Sequence, residues 1–146
     1  MKIKFTINGE PFGKERPRFN VKGFKVFTYT PTKTSNYEKT IRKEFREKVG
    51  VNFKEKIPLG VKITAYYAIP KHTPKDWIRK MNAGLLLPTK KPDLDNIVKV
   101  IFDALNGVCY YDDVQVCKLN IEKFYSENPR VEVEIEDMEV LKNVTL

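Results

Sequence analysis

The stretch at residues 91–107 reads KPDLDNIVKVIFDALNG. Its apolar residues recur at helical spacing and predict a helix from Leu94 to about Asn106, which Gly107 ends. One face of this helix is expected to be buried, and it carries Ile97, Val98, Ile101, Phe102 and Leu105. A helix with a single apolar face has to pack against another layer of structure, so the rest of the chain must supply that layer.

Strands are predicted on both sides of this helix. Residues 2–8 alternate polar and apolar side chains, Gly23 to Tyr29 are expected to form a short strand, and residues 60–69 form a strong strand that Pro70 stops. The segments 114–124 and 131–135 alternate again and predict a closing hairpin.

Two further helices are predicted from capping residues and spacing. Thr34 or Ser35 is expected to cap a helix that runs to about Val49, and Thr73-Pro74 to start a short helix that ends near Ala83. The resulting order of elements is β, β, α, β, α, α, β, β. It predicts an α+β fold, a mixed β-sheet packed against helices, with residues 1–146 forming one domain.

Composition limits the class of protein. The chain has 146 residues, of which 41% are hydrophobic and 12% aromatic, as expected for a globular domain. No apolar run approaches the ~18 residues of a membrane span. The N-terminal MKIKFTING lacks the apolar core of a signal peptide, so we expect a mature cytoplasmic protein.

The net charge of +8 is unevenly spread. Residues 1–56 hold 15 Lys/Arg and 6 Asp/Glu, whereas residues 112–146 hold 4 and 9. A basic front half suits a phosphate-bearing partner, with a merely solvated lysine-rich surface as the alternative. Cys109, Cys117 and the lone His72 do not have the spacing of a zinc site, and both thiols are expected to be free and buried.

Carboxylates are concentrated around the start of the 94–106 helix. Asp93 is expected at the N-cap and Asp95 in the first turn, a position where two acids can converge although their spacing would separate them within a regular helix. A second pair, Asp112-Asp113, precedes the next strand. Clustered oxygen ligands suit a hard divalent cation and phosphodiester hydrolysis. The alternative is that Asp93 is a simple cap, Asp95 a surface acid and the second pair a turn.

Lys99 lies one turn from Asp95 and one turn from Asp103 on the same helix face. It is expected either to stabilise an oxygen of the reacting phosphate or only to bridge these acids.

Several segments together resemble one family. These are Lys91-Pro92-Asp93-Leu94-Asp95-Asn96 with Lys99, Asp103-Ala104-Leu105-Asn106, Asp112-Asp113 with Gln115-Val116, the N-terminal run from Gly13 to Phe19, Tyr29-Thr30-Pro31 with Thr34, and Lys123. The combination resembles RusA-type endodeoxyribonucleases, which are Holliday junction resolvases.

The resemblance implies a homodimer that cuts four-way DNA junctions by paired nicks in recombination and repair, using Mg²⁺ or Mn²⁺. It implies that Asp93, Asp95 and Asp113 are the essential, metal-binding carboxylates and that Lys99 is the essential lysine. Asp113 is favoured over Asp112 as the third acid. The alternatives that remain are a non-catalytic basic nucleic-acid-binding module and a nuclease for other branched DNA or RNA.

Residues 10–23 are predicted to form a basic loop, because two prolines prevent a helix. Lys14, Arg16 and Arg18 alternate along it and are expected to contact the DNA backbone, with a solvated loop as the alternative. Aromatic residues nearby are expected either to stack on unpaired bases or to lie in the core or a dimer contact, namely Phe12, Phe19 and Tyr29.

Overall fold

The computed structural model describes residues 1–138, which form a four-stranded sheet, a separate two-stranded hairpin and three α-helices. In chain order the elements are β1 (Lys2–Asn8), β2 (Arg18–Lys22), β3 (Lys25–Tyr29), α1 (Thr32–Lys48), β4 (Leu59–Ala68), α2 (Lys75–Asn82), α3 (Leu94–Leu105), β5 (Val116–Ser126) and β6 (Arg130–Asp137). The predicted α+β fold, a mixed sheet packed against helices, is confirmed.

The main sheet has the strand order β1-β6-β4-β5. The pair β4–β5 is parallel, with Ile63 opposite Ile121, and the other two pairs are antiparallel. A parallel pair needs a long crossover connection, and the segment between β4 and β5 supplies it by carrying both α2 and α3.

The predicted closing hairpin of the last two strands is wrong. Both strands form, but β5 pairs with one edge of β4 and β6 with the other, so that β6 lies between β1 and β4. The physical reason is burial. Val131, Val133 and Ile135 on β6 are all fully buried, which a central strand allows, whereas much of β5 is exposed and occupies the edge.

One face of the sheet carries the core. Alternate residues of β1, β4 and β6 point to this face, where α1 and α3 pack across them. The predicted stripe of α3 is confirmed for Ile97, Ile101 and Leu105, while Val98 and Phe102 are only partly buried. The opposite sheet face is polar, and there Lys4 on β1 pairs with Glu134 on β6 at 3.0 Å.

Helix α1 begins earlier than predicted, at Thr32, and Pro31 rather than Thr34 or Ser35 occupies its N-cap. Thr34 is fully buried, and its hydroxyl accepts a hydrogen bond from the backbone N–H of Glu15 at 3.3 Å. Its side chain therefore fastens the preceding loop and does not cap the helix. Helices α2 and α3 lie within one or two residues of their predicted bounds.

Strand β2 shortens the predicted basic loop, because Arg18–Lys22 pair with β3 as a hairpin. Of the two thiols predicted to be buried, Cys109 is buried and Cys117 is exposed on the edge strand. Within residues 1–138, no helix combines the length and the apolarity that a membrane crossing requires.

Candidate active site

The start of α3 presents two carboxylates. Asp93 occupies the N-cap with extended backbone angles, φ −72° and ψ 154°, yet its side chain makes no capping hydrogen bond. Asp95 lies in the first turn. Among the described residues, the acid of α3 that forms ion pairs is Asp103, about two turns beyond Asp95. The carboxylate of Asp93 is thus not used as a helix cap, and the helix N-terminus around it favours negative charge.

Two residues of the sheet hold the segment that precedes Asp93. The hydroxyl of Tyr67 donates to the carbonyl of Pro92 at 2.6 Å, and the ammonium of Lys123 donates to the carbonyl of Lys90 at 2.7 Å. The Lys123 nitrogen also lies 5.0 Å from the centre of the Tyr67 ring. These contacts fix the entry to α3 relative to β4 and β5.

The pKa of Tyr67 is affected by burial and by nearby acidic residues. Burial raises its pKa to about 12, and the negative charges of Asp93 and Glu10 contribute. The hydroxyl is therefore protonated at neutral pH and remains a donor. The role of Tyr67 was not predicted from the sequence, since nothing in the strand pattern distinguishes it from any other core aromatic residue.

The loop after β1 packs against the other side of the α3 start. The backbone N–H of Lys14 donates to the carbonyl of Asn96 at 2.9 Å. A Cβ on Gly13 would lie 2.7 Å from the Cβ of Pro92 and 3.0 Å from that of Asn96, so only glycine fits here without movement. An open cleft of about 590 Å³ separates the remainder of the loop from the helix, and both Arg16 and Asp93 line it.

Lys14, which is predicted to contact DNA, lies between two carboxylates. Its nitrogen contacts Glu38 on α1 and lies 3.2 Å from Asp103 on α3, and only 18% of its side chain is exposed. Burial opposes the charged form, but the hydrogen bonds to Glu38 and Asp103 outweigh it, so the pKa of Lys14 is raised. The ammonium thus links the loop to both helices.

Lys99 lies further along α3 and is largely exposed. Its nitrogen is 3.8 Å from Asp103. The pKa of Asp113 is raised by burial and by the hydrogen bond and charge of Asp112, while the charge of Lys99 opposes this shift. The charges of Lys99 and Asp103 therefore both act on Asp113, although the direct ion pair of Lys99 is with Asp103.

Asp112 and Asp113 have different local roles. Asp112 caps a short 3-10 helix (Asp113–Gln115), and its carboxylate accepts from the N–H of Val114 at 3.3 Å. Gln115 completes this cap, because its side-chain oxygen accepts from the N–H of Asp112. The N–H of Asp113 donates to Asn106 at the end of α3, at 2.9 Å. Of the two carboxylates, only that of Asp112 is used as a cap.

The donor chemistry at this place suits a hard divalent cation, because the candidate ligands are carboxylate oxygens. In the part of the chain that the structure describes, however, no three Asp, Glu, His or Cys side chains stand close enough together to hold one ion. Asp93 and Asp95 lie at one end of α3, and Asp113 is anchored at the other end through Asn106. A shared ion would require these acids to come closer together than they stand in this structure.

Comparisons with known proteins support the resemblance to the RusA family. The model of the family "Endodeoxyribonuclease RusA" matches residues 8–136. A protein of Bacillus subtilis named "Uncharacterized protein YqaN" is 39% identical over 141 residues, which cover 93% of this chain and 96% of that protein. The "Crossover junction endodeoxyribonuclease rusA" of Lactococcus phage r1t is 34% identical over 87 residues, which cover 59% of this chain and 60% of that protein. The chain described here belongs to the RusA family of endodeoxyribonucleases.

Proposed function

We propose that this protein is a structure-selective endodeoxyribonuclease that resolves four-way DNA junctions by paired nicks, acting as a homodimer with Mg²⁺ or Mn²⁺. The observation that carries the proposal is a helix N-cap carboxylate, Asp93, that caps nothing, in a chain that matches the nuclease family over residues 8–136. The phage relative is named for crossover-junction cleavage, which favours a branched substrate.

In this proposal Asp93, Asp95 and Asp113 hold the cation. When bound, the ion supplies an activated water and neutralises charge on the phosphate. Asp113 is preferred to Asp112 because the latter is engaged as a cap, while the former is subject to the charge of Lys99. Tyr67 and Lys123 keep the segment before Asp93 in place through its backbone carbonyls.

Lys99 is proposed to stabilise negative charge on an oxygen of the scissile phosphate. Its side chain is 62% exposed and reaches solvent beside the carboxylates. A positioned cation at the point where charge develops stabilises a transition state more than it stabilises the ground state. Asp103 lies one turn away, and its carboxylate is 3.8 Å from this ammonium.

Arg16 and Arg18 are proposed to contact the DNA backbone. Arg16 shares a cleft with Asp93, and 66% of the Arg18 side chain is exposed. For Lys14, the carboxylate contacts favour a role in ordering this loop rather than a phosphate contact of its own.

The homodimer supports paired nicks, because two equivalent sites would face the two strands that must be cut. Such an activity belongs to DNA recombination and repair, and we place it in the cytoplasm. The family match and the basic composition of the chain support these proposals.

Asp93→Asn tests the proposed function. We expect cleavage of a four-way junction in Mg²⁺ to be abolished while junction binding is kept or tightened, because an amide replaces an anionic metal ligand poorly and repulsion from phosphate falls. The matched control is Asp76→Asn on α2, an exposed acid that pairs only with Arg79 among the described residues and should cleave normally. Linear duplex, three-way DNA and branched RNA, assayed in parallel, separate the substrate classes. Near wild-type nicking by Asp93→Asn would contradict the metal site.

A further inference from the structure

The β2–β3 hairpin is unusual because no residue of either strand is buried. A two-stranded hairpin alone in water is at best marginally stable. Its strands are joined by a two-residue turn, in which Gly23 supplies the positive φ of +62° and Phe24 is fully exposed. An exposed ribbon with this many large side chains is a candidate for binding something outside the chain.

The strand register divides the side chains of the hairpin between two different faces. Residues directly opposite each other point to the same side of a sheet, and successive residues alternate. One face is mostly apolar, with Phe19 opposite Thr28 and Val21 opposite Val26. The other face, called here the basic–aromatic face, has Arg18 opposite Tyr29, Asn20 opposite Phe27 and Lys22 opposite Lys25.

Charge distinguishes the possible occupants of the basic–aromatic face. Between Glu15 and Glu38 the chain has five basic residues and no acidic residue. A second copy of the chain laid on this face would bring its cations against the same cations. A polyanion is attracted instead, and the exposed rings of Phe27 and Tyr29 offer surfaces on which bases stack.

The basic–aromatic face is also continuous with the candidate active site. A cleft of about 570 Å³ at the base of the hairpin is lined by Arg18 and Tyr29, and it shares Phe12 and Glu15 with the cleft that contains Asp93. The two clefts therefore adjoin along the loop.

We infer that the basic–aromatic face of the β2–β3 hairpin binds single-stranded DNA, so that unpaired bases of a branched substrate stack on Phe27 and Tyr29 while Arg18, Lys22 and Lys25 contact the phosphates. This inference rests on the proposed function for the identity of the polymer. It assigns to the hairpin a function that the carboxylate site lacks, namely selection of an unpaired strand over a duplex.

The test measures DNA binding by the full chain in EDTA, so that it does not depend on cleavage. The probes are a labelled oligothymidylate of about 15 nucleotides and a duplex of equal length. For Phe27→Leu with Tyr29→Leu, which keeps apolar bulk and removes the rings, we expect single-strand binding to fall about tenfold or more and duplex binding to fall less than about threefold. The matched control on the apolar face is Phe19→Leu with Val26→Ala, for which both affinities should stay within about threefold of wild type.

A second measurement keeps the test valid if a double variant folds poorly. Phe27→Trp in a Trp77→Phe background places a single tryptophan on the face, and its fluorescence should be quenched by the oligothymidylate. Absence of quenching overturns the inference, as does an equal loss of single-strand binding by the apolar-face control. A change in oligomer mass for Phe27→Leu with Tyr29→Leu, without a loss of single-strand affinity, would assign the face to a second copy and also overturn it. A wild-type protein that binds the single strand through this face but cuts no junction would refute the proposed function alone.

Discussion

Lys99 is the residue at which a catalytic role and a structural role make different quantitative predictions. If its ammonium only forms an ion pair with Asp103, Lys99→Ala should cost at most ~0.5 kcal/mol of unfolding free energy and leave cleavage nearly unchanged. If it stabilises charge on the scissile phosphate, the single-turnover rate should fall by about 10²–10³-fold, as for loss of one preorganised donor. We expect the second result, measured on a junction with binding saturated.

Lys99→Arg refines this prediction. A planar guanidinium does not reproduce a compact ammonium, so rescue of the rate should be poor. A Lys99→Ala enzyme that folds, binds junctions and nicks them within a few-fold of wild type would remove the assigned role.

The prediction for Lys14 concerns the free energy of unfolding. Lys14→Met leaves the carboxylates of Glu38 and Asp103 without their shared, largely buried cation, so we expect a loss of about 2 kcal/mol in urea unfolding. Because the folded pKa of Lys14 is raised, its stabilisation should be complete below pH 10.5 and disappear as the pH rises through the folded value. The difference between wild type and variant should therefore be constant from neutral pH to about 10 and shrink above it.

Lys4→Met is the matched control for Lys14. Lys4 also contacts a carboxylate, that of Glu134, but 64% of its side chain is exposed. An exposed pair contributes less than about 1 kcal/mol. Equal losses for the two variants would mean that the position of Lys14 between two helices adds nothing.

At the level of elements, the loop after β1 fits the start of α3 closely enough to exclude a methyl group. Gly13→Ala would place a Cβ within 3.0 Å of two other Cβ atoms, one on Pro92 and one on Asn96. We expect a loss of roughly 1–3 kcal/mol from overpacking, together with weaker cleavage, since the displaced loop lines the cleft beside Asp93. Urea unfolding and junction nicking on the same preparation measure both.

Gly60→Ala serves as the control for Gly13. A Cβ at Gly60 meets its nearest neighbour, Glu136, at 3.7 Å, an ordinary contact. Its unfolding free energy and its cleavage should both stay close to wild type. If Gly13→Ala behaves like Gly60→Ala, the loop does not need its close approach to α3.

The elements themselves could be predicted because their signals are local. The alternation in β1, the strand-forming run of β4 that Pro70 stops and the helical spacing of α3 are properties of a few adjacent residues, and they predicted the element types correctly. Strand order is a property of the whole sheet. The short connection between β5 and β6 suits a hairpin, and only the stronger burial of Val131, Val133 and Ile135 places β6 in the centre.

The same distinction applies to the candidate site. The position of Asp93 at a helix N-cap followed from the local sequence, and the structure confirms it. The alternation of Lys14 with Arg16 and Arg18 suggested an exposed cation, but most of the Lys14 side chain is buried. Its partners, Glu38 and Asp103, lie on two helices far along the chain, so the local sequence does not indicate these contacts. Tyr67, near the end of β4, contacts Pro92 before α3, and the two residues are 25 positions apart in the chain. No local sequence pattern indicates such a contact.

For the whole molecule, the charge distribution predicts how DNA binding depends on salt. The basic excess lies in residues 1–56, whereas residues 112–146 carry a net negative charge. Each lost phosphate contact lowers the slope of log affinity against log salt by about 0.9 on duplex DNA. Arg16→Ala with Arg18→Ala should therefore weaken junction binding and reduce this slope by about 1.8 for each chain bound.

The size of the change in this slope also indicates how many protein chains bind to one junction. A homodimer in which both copies engage the DNA should lose about 3.6 from the slope, twice the value for one chain. Lys2→Ala with Lys4→Ala is the charge-matched control, because these lysines contact Glu134 on the open face of the sheet, away from α3. Their removal should leave the slope nearly unchanged. An unchanged slope for the arginine variant would exclude this loop from the DNA surface, whereas a change near 1.8 would mean that a single chain makes these contacts on each junction.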